Sequence, residues 1–412
     1  MRRARRHARR LPRRAARTAM LLSLLVALAS GCSPARTLDS VHVLTDVQAG
    51  SSPSELKKET VRPTRDQIVY AVDGRRRDAD LYRPNFQPIL ADMVLVPGLT
   101  RLGRDDPRVV AFATTMGRAG FRVLVPDLPN LRRFQVSGTD TVTIADAICF
   151  MQAEPTGRPL GVGAVSFAVG PAVGALFEPE ARDRVDFLLT VGGYHDMTAL
   201  ITYVTTGYYR ASADAPWQYR EPKRYGRWLF LLTNAARLQD QEDKLTLIEM
   251  ADRKLNNPDA KVDDLATQLG AEGQSVYALL TNTDPDRVPA LIDALPPSVL
   301  HEMNALDLKQ RRIADLDTRF ILVHDADDRI IPADQSLIFV RNANPGHAEA
   351  FLVQGLDHAQ PKEISWWDAK GLVAAVYAVL QERDTTAPPR PPCAGVQTLV
   401  PPSPQAPGAA IN

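Results

Sequence analysis

Cysteine is scarce: Cys32, Cys149 and Cys393 are the only three in 412 residues. That number is too small for a disulfide framework. Cys149 lies in a helical pattern with Ile144, Ile148, Phe150 and Met151 and reads as a small core residue, while Cys393 sits in a proline-rich tail, so no bridge between them is expected. Acidic residues are missing from the start of the chain. The first is Asp39, whereas nine of the 49 basic residues precede residue 18. Beyond residue 31 the balance becomes 40 basic against 48 acidic residues, which removes any general electrostatic pull toward nucleic acid. No pattern of the HExxH kind occurs, no histidine pair has ligand spacing, and no glycine-rich loop has the spacing of a phosphate cradle. No metal and no cofactor are expected. Gly161-Val162-Gly163 lies on a strand pattern and reads as close packing.

The N-terminal arginines precede an apolar run, Met20 to Ala29, that is too short for a mature membrane span. The small residues Ala29-Ser30-Gly31 then lead to Cys32, so residues 1–31 read as an export signal. This junction resembles the bacterial lipobox, with Ala29 where leucine is usual and Leu28 one place earlier. The resemblance implies lipidation of Cys32 and a place in the cell envelope, with ordinary signal-peptidase cleavage nearby as the alternative. Ser33 after the cysteine, rather than aspartate, implies outer-membrane delivery if the source is Gram-negative. Residues 32–60 are polar without apolar periodicity and read as a flexible tether. Residues 384–412, rich in proline and alanine, read as a disordered tail. The folded body is expected over 61–383.

Within that body strand and helix patterns alternate, the signature of a mostly parallel sheet covered on both faces. Gln67–Val72 and Asp78–Tyr82 flank the hairpin signal Asp73-Gly74. Buried strands read as short apolar runs at Met93–Val96, Arg122–Val125, Leu160–Val165, Phe187–Val191, Phe320–Val323 and Ala350–Val353. Helical patterns lie between them, at Asp106–Ala119, Thr141–Gln152, Ala168–Phe177, Asp334–Asn342 and Glu363–Gln381. Residues 197–317 break this rhythm. A structureless loop of that length is implausible, and Leu245, Ile248, Ala251 and Leu255 fall at helical steps, so an inserted helical cap is expected between core segments 61–196 and 318–383. Its aromatics, including Tyr203, Tyr209, Trp217 and Trp228, are expected to build the cap and its seat, with a minority facing a substrate pocket.

Three strand ends carry reactive side chains. In Gly163-Ala164-Val165-Ser166-Phe167-Ala168-Val169-Gly170 an apolar strand runs into a small-residue helix start with serine at the junction. In Phe320 to Pro332 a strand ends in an acidic turn containing His324, Asp325, Asp327 and Asp328. In Phe351 to His358 a strand is followed by a turn and a histidine. Singly, each has a plain structural reading: Ser166 as a helix N-cap, His358 as a surface residue. Together they supply a nucleophile, a base that can deprotonate it and a carboxylate that can hold the base, in the chain order Ser, Asp, His.

The body resembles the α/β-hydrolase superfamily, particularly its esterase-like and dienelactone-hydrolase-like branches with a cap after the sixth strand. The resemblance implies an α/β fold with a mostly parallel sheet flanked by helices, and a triad of Ser166, Asp328 and His358. The family's elbow glycines are Ala164 and Ala168 here, and Asp325 stands in the second place of the family's HGxxDxxVP pattern, which begins at His324. Asp327 and Asp196 are the alternative acids. The backbone N–H groups of Phe167 and of Leu99, after Pro97-Gly98, are the implied oxyanion donors. The expected activity is hydrolysis of a small or lipid-like carboxylic ester. A peptidase or thioesterase with the same triad, and a non-catalytic lipoprotein holding an acyl or apolar ligand, are the alternatives.

Overall fold

The computed structural model describes residues 33–153, 156–356, 366–388 and 390–399. Nine strands form one sheet in the order β10-β9-β6-β5-β3-β4-β2-β1-β11. The chain enters through an antiparallel pair, β1 (Thr64–Val72) and β2 (Arg75–Arg83), turned at Asp73 and Gly74, whose φ values of 48° and 77° are what a tight hairpin of this hand requires. Then β3 (Ala91–Val96), β4 (Phe121–Pro126), β5 (Leu160–Val165), β6 (Phe187–Val191), β9 (Arg319–Asp325) and β10 (Ala348–Val353) run parallel to one another. All six residues of β3 are buried, as continuous apolar strands require when helices cover both sheet faces.

Two apolar layers result. On one face Ala113, Met116, Leu372, Val379 and Leu380 of the helices Pro107–Arg118 and Trp366–Arg383 pack on Met93, Phe121 and Ile321. On the other, Ile144, Ile148, Ala172 and Val173 of the helices Gly138–Met151 and Val169–Ala175 pack on Val94, Val162 and Leu188. That second layer continues into the cap, whose larger helices are Met197–Thr206, Gly226–Ala235, Gln241–Asn256, Ala271–Thr281 and Pro297–Leu306. The cap also carries a short hairpin of β7 (Tyr208–Tyr209) and β8 (Gln218–Tyr219). In Gln241–Asn256 the buried face is Leu247, Met250 and Ala251, while Leu245 is exposed, so the inward stripe is rotated from the expected one.

Three expectations fail. Residues 34–49 are not a flexible tether but a helix, capped by the Ser33 side chain on the Arg36 amide, with Val43 and Leu44 buried against Pro107–Arg118 and Trp366–Arg383. Its buried Asp46 carboxylate receives Lys57 at 2.7 Å and the Thr115 hydroxyl at 2.6 Å. A second short helix, Glu55–Glu59, follows. The tail is not disordered over 390–399. Arg390 grips both oxygens of Asp186 at 2.9 and 2.7 Å, and β11 (Val396–Leu399) adds an antiparallel edge to β1. Cys149 and Cys393 are joined in a disulfide with Cα atoms 5.4 Å apart, against the expectation that they would not pair. Among the described residues no helix is long and apolar enough to cross a membrane. Residues 1–32, with Cys32, and 400–412 lie outside the described residues.

Candidate active site

The parallel strands all point their carboxyl ends to one edge, and the loops leaving that edge carry the candidate residues. Ser166 follows β5 directly and opens a 3₁₀ turn, Ser166–Ala168, that runs into the helix Val169–Ala175. Its φ is 58°, in the left-handed region that a residue with a Cβ enters only at a cost, and it is 8% exposed. A sharp strand-to-helix reversal sets this value, and it lifts the hydroxyl out of the strand plane. The crowding is relieved elsewhere than at the usual glycines. Ala164 and Ala168 are accommodated with almost no exposure, whereas a Cβ on Gly170 would lie 1.9 Å from the Tyr194 hydroxyl and one on Gly193 would lie 2.7 Å from Val169. Both glycines were unassigned in the sequence, because their requirement comes from contacts across the fold.

On the β3 side, Val96 is in register with Ala164, so the loop Pro97–Thr100 leaves the sheet beside Ser166. A Cβ on Gly98 would stand 3.3 Å from the Val165 carbonyl oxygen, which explains the glycine by close approach and brings Leu99 to the same edge. Phe167 and Leu99 are both half-buried there.

On the other side, Asp328 lies three residues past β9 with its side chain fully buried. Its Oδ1 accepts the amides of Ile330 at 2.7 Å and Ile331 at 3.0 Å, bonds that favour the ionised carboxylate. Its Oδ2 is 3.5 Å from Nε2 of the buried His324. The His324 Nε2 also lies 2.9 Å from the Ile331 carbonyl, and its Nδ1 lies 2.7 Å from Ser336 Oγ. A carbonyl only accepts, so we assign a proton to Nε2. His324 thus pins the turn that presents Asp328, a function invisible in the sequence pattern. The Asp325 carboxylate accepts the Asp327 amide at 2.9 Å, and the Ala326 amide donates to Val353 at the end of β10. The cap clamps the same turn: Arg220 donates to the Ala326 carbonyl at 3.1 Å and the Lys223 amide to that of Arg329 at 2.7 Å.

The alternative acids have other work. The Asp327 side chain is 76% exposed and faces Arg220 at 3.5 Å. Asp196 caps the helix Met197–Thr206 through the Ala199 amide and binds Lys309 at 2.8 Å. Neighbouring His195 is buried with no partner on either ring nitrogen, and burial lowers its pKa to about 4, so it is neutral at pH 7. His358 lies outside the described residues; β10 ends beside Asp325, so the chain leaves the sheet at the edge where Asp328 stands.

Between Phe167, Tyr194 and Met197 below and Phe230, Met303 and Leu306 above there is a small, mostly apolar cavity of about 30 Å³. A polar seam borders it: Glu302 of the cap accepts the Ser137 hydroxyl at 3.1 Å and the Gly138 amide at 2.9 Å, and Arg237 donates to the Val136 carbonyl. Burial raises nearby Asp140 to about 6, with the Glu302 charge adding to the rise. The Tyr203 hydroxyl, fully buried in the cap, has no partner; burial raises its pKa, and the Asp328 charge adds to that. Among the described residues no cluster of three or more potential metal ligands occurs.

A sheet with an antiparallel second strand, β3 and β4 exchanged in order, a strained serine after β5 and a carboxylate after the strand beyond β6 is the α/β-hydrolase fold, here with an inserted helical cap and an extra edge strand. The chain is similar to solved structures of that kind at low identity. One is brefeldin A esterase, a bacterial homologue of human hormone-sensitive lipase, at 14% identity over 86% of both chains with a TM-score of 0.44. Another is Est1E from Butyrivibrio proteoclasticus, at 12% identity over 77% of this chain and 98% of that one, TM-score 0.41. A third is the acylaminoacyl peptidase of Pyrococcus horikoshii, at 10% identity and TM-score 0.43, where 81% of this chain spans 44% of the peptidase. No protein-family model matches the sequence, and no curated protein does.

Proposed function

We propose that the protein is a serine hydrolase that cleaves a carboxylic ester through an acyl-enzyme. The observation that carries this reading is Ser166 itself: a buried serine held at φ 58° where β5 turns into a helix. Such strain costs of order 1–3 kcal/mol and persists only where the surrounding structure enforces it. His358 takes the proton from Ser166 Oγ, the oxygen attacks the acyl carbon, and the amides of Phe167 and Leu99 hold the oxyanion. His358 then protonates the leaving alcohol, and water repeats the sequence to release the acid. Asp328 holds His358 in the productive tautomer and stabilises its charged form.

Location in the cell envelope, through a lipid on Cys32, belongs to the same proposal. The Cys149–Cys393 bond supports export, since such bonds persist in oxidising compartments. The test is labelling of the full chain with a fluorophosphonate probe. Wild type is expected to label, and Ser166→Ala and His358→Ala are expected not to. Folded wild-type protein that does not label would overturn the hydrolase reading, and a matched panel of ester, thioester and amide substrates separates the classes sharing the triad.

A further inference from the structure

One fully buried titratable group takes no part in the reaction described above. Tyr203 lies in the cap helix Met197–Thr206 with 0% of its surface exposed, and its hydroxyl has no hydrogen-bond partner among the described residues. Taking a phenol out of water is unfavourable unless a new bond replaces the lost ones, so phenylalanine would pack here at lower free energy. The hydroxyl adds nothing to the fold. Its place is fixed by a chain of contacts. The Tyr203 ring meets the Tyr209 ring edge-on at 5.9 Å, the Arg220 guanidinium lies over Tyr209 at 5.3 Å, and Arg220 donates to the Ala326 carbonyl of the acidic turn at 3.1 Å. The charges that act on the Tyr203 hydroxyl belong to the same turn and its clamp: Arg220, Asp328 and Arg329. Tyr70 and Tyr82, whose buried hydroxyls also lack a partner, sit on β1 and β2, at the other end of the sheet from that turn.

We propose that Tyr203 is a substrate-binding residue whose hydroxyl donates to the alcohol oxygen of the ester as the acyl–oxygen bond breaks. The inference rests on the serine-hydrolase reading of the same site. In that reaction the leaving alcohol takes its proton from the base, and the base is held by Asp328. The alcohol oxygen therefore lies on the flank of Ser166 that faces β9 and the acidic turn, while the loop that carries Leu99 stands on the other flank, after β3. Tyr203 stands over the first of these. When the tetrahedral intermediate collapses, the electron pair of the C–O bond moves to the alcohol oxygen and His358 delivers a proton to it. The Tyr203 hydroxyl stabilises the charge developing there by a hydrogen bond and keeps its own proton, because burial raises its pKa. The acceptor missing from the fold thus arrives with the substrate. The class this selects is the alkyl ester, since a thiolate or an activated phenolate leaves without such help.

The test compares Tyr203→Phe with the wild-type full chain on ethyl butyrate and p-nitrophenyl butyrate, two esters of one acid that differ only in the leaving group. The loss in kcat/KM is expected to be about ten- to a hundred-fold for ethyl butyrate and about ten-fold smaller for the nitrophenyl ester. The guanidinium unfolding midpoint is expected to hold or to rise, because the deleted hydroxyl has no bond to lose. Equal losses on the two esters, no loss on either, or a lowered midpoint would overturn the assignment. Wild type that labels with fluorophosphonate but does not cleave ethyl butyrate would overturn it as well, since a donor to the ester oxygen itself acts on any alkyl ester. Folded wild type that neither labels nor cleaves would overturn the hydrolase reading, and this one with it.

Discussion

Replacing Ser166 in two ways separates the backbone strain at this position from the loss of its hydroxyl. Alanine and glycine both remove the oxygen, so both are expected to abolish fluorophosphonate labelling. They differ at φ 58°. A Cβ in the left-handed region costs about 1–2 kcal/mol, which alanine retains and glycine escapes. Glycine in turn brings about 0.5–1 kcal/mol of extra unfolded-state entropy. The balance leaves Ser166→Gly more stable than Ser166→Ala by about 0.5–1 kcal/mol. A control at Ser275, inside the helix Ala271–Thr281, must show the reverse order, since glycine there is about 1 kcal/mol worse than alanine. Midpoint and slope from guanidinium unfolding resolve both pairs better than melting temperature, because in a body of this size 1 kcal/mol moves the melting point by only about 2 °C. If Ser166→Gly is no more stable than Ser166→Ala while Ser275 behaves as stated, the strained elbow is refuted.

His324→Leu removes the donor to Ile331 and is expected to lower kcat about ten- to a hundred-fold with little change in KM, whereas His324→Gln, which can still donate there, recovers most of it. A pH profile of kcat/KM separates this from general destabilisation, because loosening Asp328 moves the acid limb set by His358. Asp140 has a folded pKa of about 6, above its ordinary value, so the native state holds its proton more tightly than the unfolded chain. Stability from this group is therefore lost as pH rises from about 4 to 6, by up to about 3 kcal/mol. Urea unfolding of Asp140→Asn across that range should show the slope flattened; an unchanged slope would assign it to other groups. Cys393→Ser opens a link between residues 244 apart and is expected to cost about 5 kcal/mol in reversible unfolding and to expose the Val396–Leu399 amides to exchange.

The central sheet was legible because its strands are buried on both faces and read as continuous apolar runs; Leu160–Val165 and Phe187–Val191 fall on the observed bounds. The Ser166 junction and the acidic turn were legible for a related reason, since each sits where an apolar run stops. The helix Pro34–Ala49 was hidden because it buries only two large apolar side chains and is held otherwise by Asp46, Arg36 and their distant partners. The tail misled by composition: proline content forecasts disorder, but a cross-link, an arginine grip and four residues of pairing hold the chain between Arg390 and Leu399. Gly170 and Gly193 owe their roles to Tyr194 and Val169, each 24 positions away, and His324 is fixed in part by Ser336, 12 positions away, contacts that no local pattern encodes.

The bond from Cys149 to Cys393 encloses Ser166, the whole cap, Asp328 and His358 in one covalent ring. A protease that nicks a cap loop would cut the ring without freeing a fragment, because both new ends stay tied through the sulfurs. A single cut in this way leaves Ser166 and Asp328 on the same molecule.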